Sequence, residues 1–301
     1  MKAKNTFALI LALSLIFPFA FTACSNENDP NQEVLSTDEL SYEAFLVGGS
    51  SFSASGASYQ VEKNIRKLQE KTDSSRPQTV TLTINGKTIT GTYSHSEKQF
   101  PNTFYRHIYY GRNKGHKFLL DDSGQLLRFT WHDMTSEFKV ENKKELTEEA
   151  CMAIAKEFIL NNVSDKINLD AYTIRKSDGL TQGYAFEFKK YINGFATMDE
   201  ARVGVLKSGE VYSYSSTMFG KISADDMPKL DQGKLTKTIE NKLDTIYQDT
   251  RDNYAAIKYK EPELSLMLLD DGTPAIYCAV GVHFEDGRGG HISDMVSMII
   301  T

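Results

Sequence analysis

Three stretches with helical periodicity, each followed by strand-like segments and short turns, account for most of this chain. The clearest begins at Thr147, a helix-capping residue followed by two glutamates, and its apolar stripe continues to about Asn162. The others are expected at about Val61–Lys71 and Thr236–Asp249, where apolar residues recur three and four positions apart. A helix with one apolar stripe needs an apolar surface to cover, and alternating strands provide one. The predicted fold class is therefore α+β, in repeated units of one helix packed on an antiparallel β-sheet.

The strands are predicted from period-two alternation between turn residues. Val80, Leu82 and Ile84 alternate with threonines, and Asn85-Gly86 then reverses the chain so that Ile89 returns opposite Leu82. Further strands are expected at about 104–110, at 118–131 as a hairpin, and at 169–176, 183–191, 197–206, 210–216, 263–269, 274–284 and 291–300.

A short apolar leader precedes these elements. Lys2 and Lys4 are followed by the apolar run Phe7–Phe21 and then by Thr22-Ala23-Cys24. The run is shorter than the roughly 20 residues that span a bilayer, which predicts a signal peptide over residues 1–23. Its end resembles the lipobox of bacterial lipoproteins, with Phe21 where that family usually carries Leu. The resemblance implies lipid attachment at Cys24 and an anchor on the extracytoplasmic face of the cell membrane, or in the outer membrane of a two-membrane cell.

The segment from Leu146 to Ser216 resembles a PepSY-type domain, the module also found in thermolysin-type propeptides. The resemblance implies a fold without catalytic residues and a link to the restraint of extracytoplasmic peptidases or to envelope regulation. The residues that carry it are Leu146–Ala150, Tyr184–Phe188, Tyr191–Gly194, Ala201–Val205 and Ser208–Val211.

The domain organisation follows from these features. Residues 24–60 contain six acidic residues and no Lys or Arg, with Ser- and Gly-rich runs, which predicts a flexible tether behind the lipidated cysteine. Residues 61–138 are predicted to form a degenerate α+β unit. Residues 139–222 and 223–301 are each predicted to form a PepSY-like unit.

Charge and missing motifs exclude several classes of function. The formal net charge of −6 and the absence of basic runs argue against nucleic-acid binding. No zinc-protease, hydrolase-elbow or Walker signature occurs, so no catalytic residue, metal or cofactor is predicted. The leading hypothesis is a membrane-anchored protein, not an enzyme, whose units bind and regulate another envelope or secreted protein, such as a peptidase. Free sheet edges are suited to this role because they accept partner strands.

An aromatic patch supports an alternative function as a glycan- or peptide-binding envelope protein. Tyr105, His107, Tyr109 and Tyr110 lie close together in the chain and are the candidate binding residues, since such rings stack on ligands. The competing and favoured interpretation is a strand with one buried and one wet face.

Two other groups of residues receive structural interpretations. His283, Glu285, Asp286, His291 and Asp294 include metal-ligating types, but they match no specific ligand spacing, and a solvated hairpin turn is favoured. Cys151 and Cys278 are interpreted as two buried thiols in preference to a disulfide.

Overall fold

The computed structural model describes residues 41–49, 69–98, 104–111, 115–131, 145–177, 182–289 and 291–301. These residues form fifteen strands and two α-helices. The helices are α1 (Glu148–Asn162) and α2 (Gln232–Tyr247). The strands are β1 (Ala44–Gly49), β2 (Gln69–Lys71), β3 (Thr79–Ile84), β4 (Lys87–Lys98), β5 (Arg106–Tyr110), β6 (His116–Leu120), β7 (Leu126–Trp131), β8 (Tyr172–Ser177), β9 (Gly183–Ile192), β10 (Phe195–Leu206), β11 (Val211–Thr217), β12 (Ala256–Tyr259), β13 (Glu263–Leu268), β14 (Pro274–Glu285) and β15 (His291–Ile300).

All fifteen strands of the described residues belong to one mixed sheet. Its main path runs in the order β1-β15-β14-β13-β10-β11-β7-β6-β5-β4-β2. Four further pairings join it: β3 with β4, β8 with β9, β9 with β10, and β12 with β14. The described pairs are antiparallel except for β10 with β13, which meet in parallel at Thr197 and Leu266.

This architecture corrects the predicted fold class. Repeated, separate helix-on-sheet units are wrong, because strands assigned to different units pair directly with each other. β7 pairs with β11, and β10 pairs with β13, so the pieces merge into one large sheet. The local patterns specify strands but not their partners, since a strand with an unpaired edge joins whichever neighbour the topology brings alongside.

Three apolar clusters lie along this sheet; the two larger ones each lie beneath one helix, and the smaller one contains Ile108, Leu119 and Leu127. α1 contributes Cys151, Phe158 and other residues to the first core, and α2 contributes Leu235, Ile239 and others to the second. β10 supplies both, with Met198 in the core under α2 and Ala201, Val203 and Val205 in the core under α1. One strand therefore links the two cores covalently.

Several local predictions are confirmed. Thr147 caps α1, where its side chain accepts a hydrogen bond from the backbone N–H of Ala150, and the helix ends at Asn162. Leu82 pairs with Ile89 in the β3–β4 hairpin. Cys151 and Cys278 are free, buried thiols in different cores.

Other predictions are wrong or concern residues outside the described ranges. The predicted helix Val61–Lys71 is wrong over residues 69–71, which form β2, and its remainder lies outside the described residues. Cys24 and the leader 1–23 also lie outside them. Within the predicted tether, β1 pairs with β15, and Leu46 and Val47 are buried in the core under α2. No helix among the described residues combines the length and apolar character needed to cross a membrane.

Candidate functional site

A groove of about 670 Å³ runs between β3 and α1. This volume falls in the range of ligand pockets, roughly 300–1,000 Å³. Its walls come from β3 and its turn, from one face of α1, and from the start of β11. The lining residues are Thr81, Leu82, Thr83, Asn85, Gly86, Ile154, Glu157, Phe158, Asn161, Asn162, Gly209 and Val211.

The side chain of Asn85 holds the β3 wall in place. Asn85 has a φ of +54°, which the Asn-Gly turn of the hairpin requires. Its Nδ2 donates to the backbone oxygen of Val211 at 3.0 Å, and the backbone N–H of Val211 donates to its Oδ1 at 2.8 Å. The tip of the hairpin is thereby fixed to the first residue of β11.

The β3 edge that borders the groove pairs with no other strand of the described residues, since β3 pairs only with β4. Alternation in an antiparallel pair leaves backbone N–H and C=O groups of every second residue pointing away from the partner strand. Natural edge strands are usually protected by charge. β2, β8 and β12 each carry Lys or Arg, whereas β3 reads Thr-Val-Thr-Leu-Thr-Ile and has no charge, like the edge strand β1, which does not border the groove.

The groove has an apolar floor and a polar rim. Leu82 and Ile154 are half-buried there, and both pack against the core that contains Phe158. Thr83 and Glu157 are exposed at the rim. Glu157 is the one charged residue among those that line the groove, so the groove is mildly acidic.

The predicted aromatic patch is not a continuous surface. His107 and Tyr109 are buried, with 1% and 2% of their surface exposed, because alternate residues of β5 point into the core side of the sheet. Tyr105 and Tyr110 are half-buried, and the Lys71 ammonium lies 3.9 Å from the centre of the Tyr105 ring. The structure therefore brings the four residues near one another without presenting His107 and Tyr109 to a ligand.

His107 instead belongs to a chain of hydrogen bonds that runs from the buried Ser96 to the exposed Asp122. Its Nδ1 lies 2.7 Å from the Ser96 hydroxyl, and its Nε2 lies 3.0 Å from a carboxylate oxygen of Asp122. Burial lowers the pKa of His107, although the Asp122 carboxylate opposes this shift. Serine, histidine and aspartate resemble a nucleophile set, but Ser96 is fully buried and its hydroxyl is closed to a substrate. We interpret the chain as a structural link.

Within the described part of the chain, the candidate metal residues near the β14–β15 turn form no group that could hold a metal ion. The Nδ1 of His283 lies 2.7 Å from the Ser293 hydroxyl. Asp294 is buried and accepts a hydrogen bond from the Tyr247 hydroxyl of α2 at 3.1 Å. Alternation along β15 places Ser293 and Asp294 on opposite faces of the sheet.

Sequence reasoning missed a buried carboxylate at Asp199. It accepts hydrogen bonds from the Tyr172 hydroxyl at 2.7 Å and the Gly220 backbone N–H at 2.8 Å, and its second oxygen lies 3.5 Å from the Lys190 ammonium. Burial raises the pKa of Asp199, which these three neighbours partly counteract. Asp199 lies at the irregularity in the β9–β10 pairing, between the parts of β10 that serve the two cores. An aspartate inside an otherwise strand-like run was the available signal.

A family match covers the α1 and β11 walls of the groove but not β3. Residues 104–218 match the family model described as the YcdB, YcdC repeated domain. The match extends from β5 to β11 and includes α1, so it contains the segment from Leu146 to Ser216 that resembles a PepSY-type domain. It agrees with a PepSY-like domain in this part of the chain. It also includes β5–β7, which were assigned to the preceding unit and which continue the same sheet.

Two further comparisons add little. A search among curated proteins finds no match. Among solved structures, the chain is similar to the C-terminal domain of Bacillus megaterium YpeB, at 11% identity over 77% of this chain and 90% of that chain, with a TM-score of 0.29. That likeness is too low to support an inference about fold or function.

Proposed function

We infer that this protein is a lipid-anchored binding protein outside the cytoplasm, and that it holds an extended segment of another envelope or secreted protein in the groove beside β3. The observation that carries the proposal is the uncharged edge of β3, with unpaired backbone groups among the described residues, alongside that groove. The match of residues 104–218 to the YcdB, YcdC repeated domain is compatible with a binding or regulatory domain of this kind.

Strand addition would use the backbone for affinity and the groove for selectivity. A partner strand beside β3 takes up the backbone N–H and C=O groups that β4 leaves unpaired. Its alternate side chains would then face the apolar floor at Leu82 and Ile154. Because the groove contains the carboxylate of Glu157 and no lining cation, we assign it a neutral or basic segment with alternating apolar residues.

A matched pair of variants tests the edge. Thr83 and Thr88 face each other across the β3–β4 hairpin and both are exposed, but only Thr83 lines the groove. The probe is a peptide enriched on the purified protein from a displayed library of ten-residue sequences. We expect Thr83→Lys to weaken its binding about tenfold, the equivalent of one or two backbone hydrogen bonds, and Thr88→Lys to leave it unchanged. Amide exchange in β3 should slow when the peptide binds.

The same experiment can reject the proposal in two ways. Failure of the library to yield a binding peptide, or equal effects of the two lysines, would remove the β3 edge as a peptide site. Native mass spectrometry provides the second way to reject it. A dimer of this chain that Thr83→Lys dissociates would show that a second copy of the protein occupies the β3 edge.

Anchoring at Cys24 is a separate part of the proposal. The leader and the small residues before Cys24 support cleavage and lipid attachment at this cysteine. We expect the wild-type protein in the membrane fraction and Cys24→Ala in the soluble fraction, with an acylated N-terminal peptide by mass spectrometry in the wild type alone. Cys151→Ala is the control and should remain on the membrane. An unmodified N-terminus in the wild type would refute the anchor.

A further inference from the structure

The face of the sheet opposite α1 carries a second, smaller cavity. It measures about 220 Å³ and is lined by Arg106, Arg128, Ser215, Ser216 and Thr217, with two leucines at its base. An adjoining cavity of about 200 Å³ shares the three hydroxyl residues and is also lined by Glu187 and Glu200, with Glu187 paired opposite Arg202, so an anion site is placed on the Arg128 side. Period-two alternation explains the location, since Phe129 and Tyr214 point into the core under α1 while their neighbours point the other way.

The strand register concentrates donors around Ser215. Ser215 on β11 pairs with Arg128 on β7 at one side and with Arg202 on β10 at the other. Directly opposed residues on neighbouring strands have Cβ atoms roughly 5 Å apart. A hydroxyl donor therefore lies between two guanidinium-bearing positions on one face of the sheet.

The charge on this face is incompletely neutralised. Arg106 forms an ion pair with Glu97 at 2.5 Å. Arg128 is exposed and makes no ion pair within the described part of the chain, although it lines the same cavity as Arg106. Burial lowers the pKa of Arg106, and the positive charge of Arg128 lowers it further. Two positive charges held close together repel each other, and an anion bound between them would reduce that repulsion.

We propose that the cavity between Arg128 and Ser215–Thr217 binds a tetrahedral anion, as inorganic phosphate or as a phosphate or sulfate group on a larger molecule. The guanidinium of Arg128 offers paired N–H donors from one side, and the hydroxyls of Ser215 and Thr217 offer donors from another, whereas the Ser216 hydroxyl donates to the backbone oxygen of Leu127. A tetrahedral anion has oxygens directed toward both sides at once, whereas the two oxygens of a carboxylate lie in one plane. The site is separate from the β3 groove, which lies on the other face of the sheet.

Titration of the purified protein with inorganic phosphate tests the site, with acetate as the planar comparison. We expect saturable phosphate binding that perturbs the backbone amide resonances of Ser215–Thr217, and weaker binding of acetate. Arg128→Gln should lower the phosphate affinity about tenfold or more, because it removes a charged hydrogen-bond donor. Arg175→Gln is the matched control, since Arg175 is also exposed and lies in the same cross-strand row, on the edge strand β8 outside the cavity.

Three results would overturn the inference. Phosphate that fails to saturate would show that the cavity holds no anion. Equal losses in Arg128→Gln and Arg175→Gln would indicate general attraction to a basic surface. Acetate binding as tightly as phosphate would contradict the tetrahedral geometry. None of these results depends on whether a peptide binds beside β3, so the two sites can fail separately.

Discussion

Asn85 and Asn193 occupy equivalent positions in two hairpins but serve different purposes. Each begins an Asn-Gly turn, with φ angles of +54° and +50°. Asn193 is exposed at its turn, whereas the amide of Asn85 exchanges two hydrogen bonds with the backbone of Val211. The sequence predicts both turns, because Asn-Gly favours this conformation locally. It does not predict the Val211 contact, since the two residues are 126 positions apart and no local pattern joins them.

This comparison gives the first prediction. Both Asn85→Ala and Asn193→Ala place a residue with a Cβ and no local amide at positive φ, so they share that cost. Asn85→Ala also leaves the backbone groups of Val211 without their partners. We expect it to lower the free energy of unfolding by about 1–3 kcal/mol more than Asn193→Ala does, as measured by urea denaturation. Equal losses would mean that water replaces the Asn85 amide at no cost.

Asp199 gives the second prediction, on pH dependence. Burial raises its pKa above the ordinary value of 3.8, so the folded protein holds this proton more tightly than the unfolded chain does. The contribution of Asp199 to the unfolding free energy is therefore greatest below the unfolded pKa and falls as the pH rises through the folded pKa. Asp199→Asn does not titrate, so wild type should lose stability relative to this variant from about pH 4 upward.

Thermal unfolding at several pH values measures this difference. Asp165→Asn is the control for the loss of a carboxylate at an exposed position. A gap between wild type and Asp199→Asn that stays constant or moves in favour of wild type with rising pH would contradict the buried-carboxyl interpretation.

At the level of elements, local sequence signals predict that a helix forms but not always the residue at which it begins. Thr147 and the acidic first turn place the start of α1 correctly, because an N-cap acts within one turn. The other helix begins at Gln232 with Asp231 as its cap, ahead of the predicted Thr236. Its first turn contains Gly233, which is a weak helix former, so the periodicity alone did not reveal it.

Helix capping gives the third prediction. Thr147→Ala removes the acceptor for the Ala150 backbone N–H and should lower the free energy of unfolding by about 1 kcal/mol. Thr236→Ala, on an exposed interior position of α2, should instead be neutral or stabilising by a few tenths of a kcal/mol, because alanine is the better helix former. Chemical denaturation of both variants checks the opposite signs; a loss of similar size in each would argue that Thr147 has no capping role.

At the level of the whole molecule, the prediction of separate units failed for a topological reason. The strands themselves were largely predictable, and β13, β14 and β15 lie close to their expected bounds. The pairing of the strands was not predictable, because the β7–β11 and β10–β13 contacts join segments from different predicted units. Neither strand of such a pair carries a sequence signal for the other. The groove depends on the same long-range arrangement, so it too was beyond sequence reasoning.

The shared strand β10 gives the fourth prediction. Cys151 lies in the core under α1 and Cys278 in the core under α2. Burial raises the pKa of both thiols, that of Cys278 to about 12, so neither should react with a thiol reagent at pH 8 in the folded protein. Because β10 contributes to both cores, we expect both thiols to become reactive at the same urea concentration.

Single-cysteine variants separate the two signals, with Cys278→Ala reporting Cys151 and Cys151→Ala reporting Cys278. Midpoints that differ clearly between the two reporters, after correction for each variant's own stability, would show that the cores unfold separately and that β10 does not couple them.

One strand reaches both proposed sites. Val211, the first residue of β11, lies in the groove beside β3, and Ser215–Thr217 at its other end line the cavity with Arg128. A displacement of β11 along its own axis when one site fills would change the geometry of the other. Linkage is reciprocal, so the factor by which a bound anion alters peptide affinity must equal the factor by which peptide alters anion affinity. A single strand that reaches two opposite faces of the protein would in this way couple the binding of two different ligands.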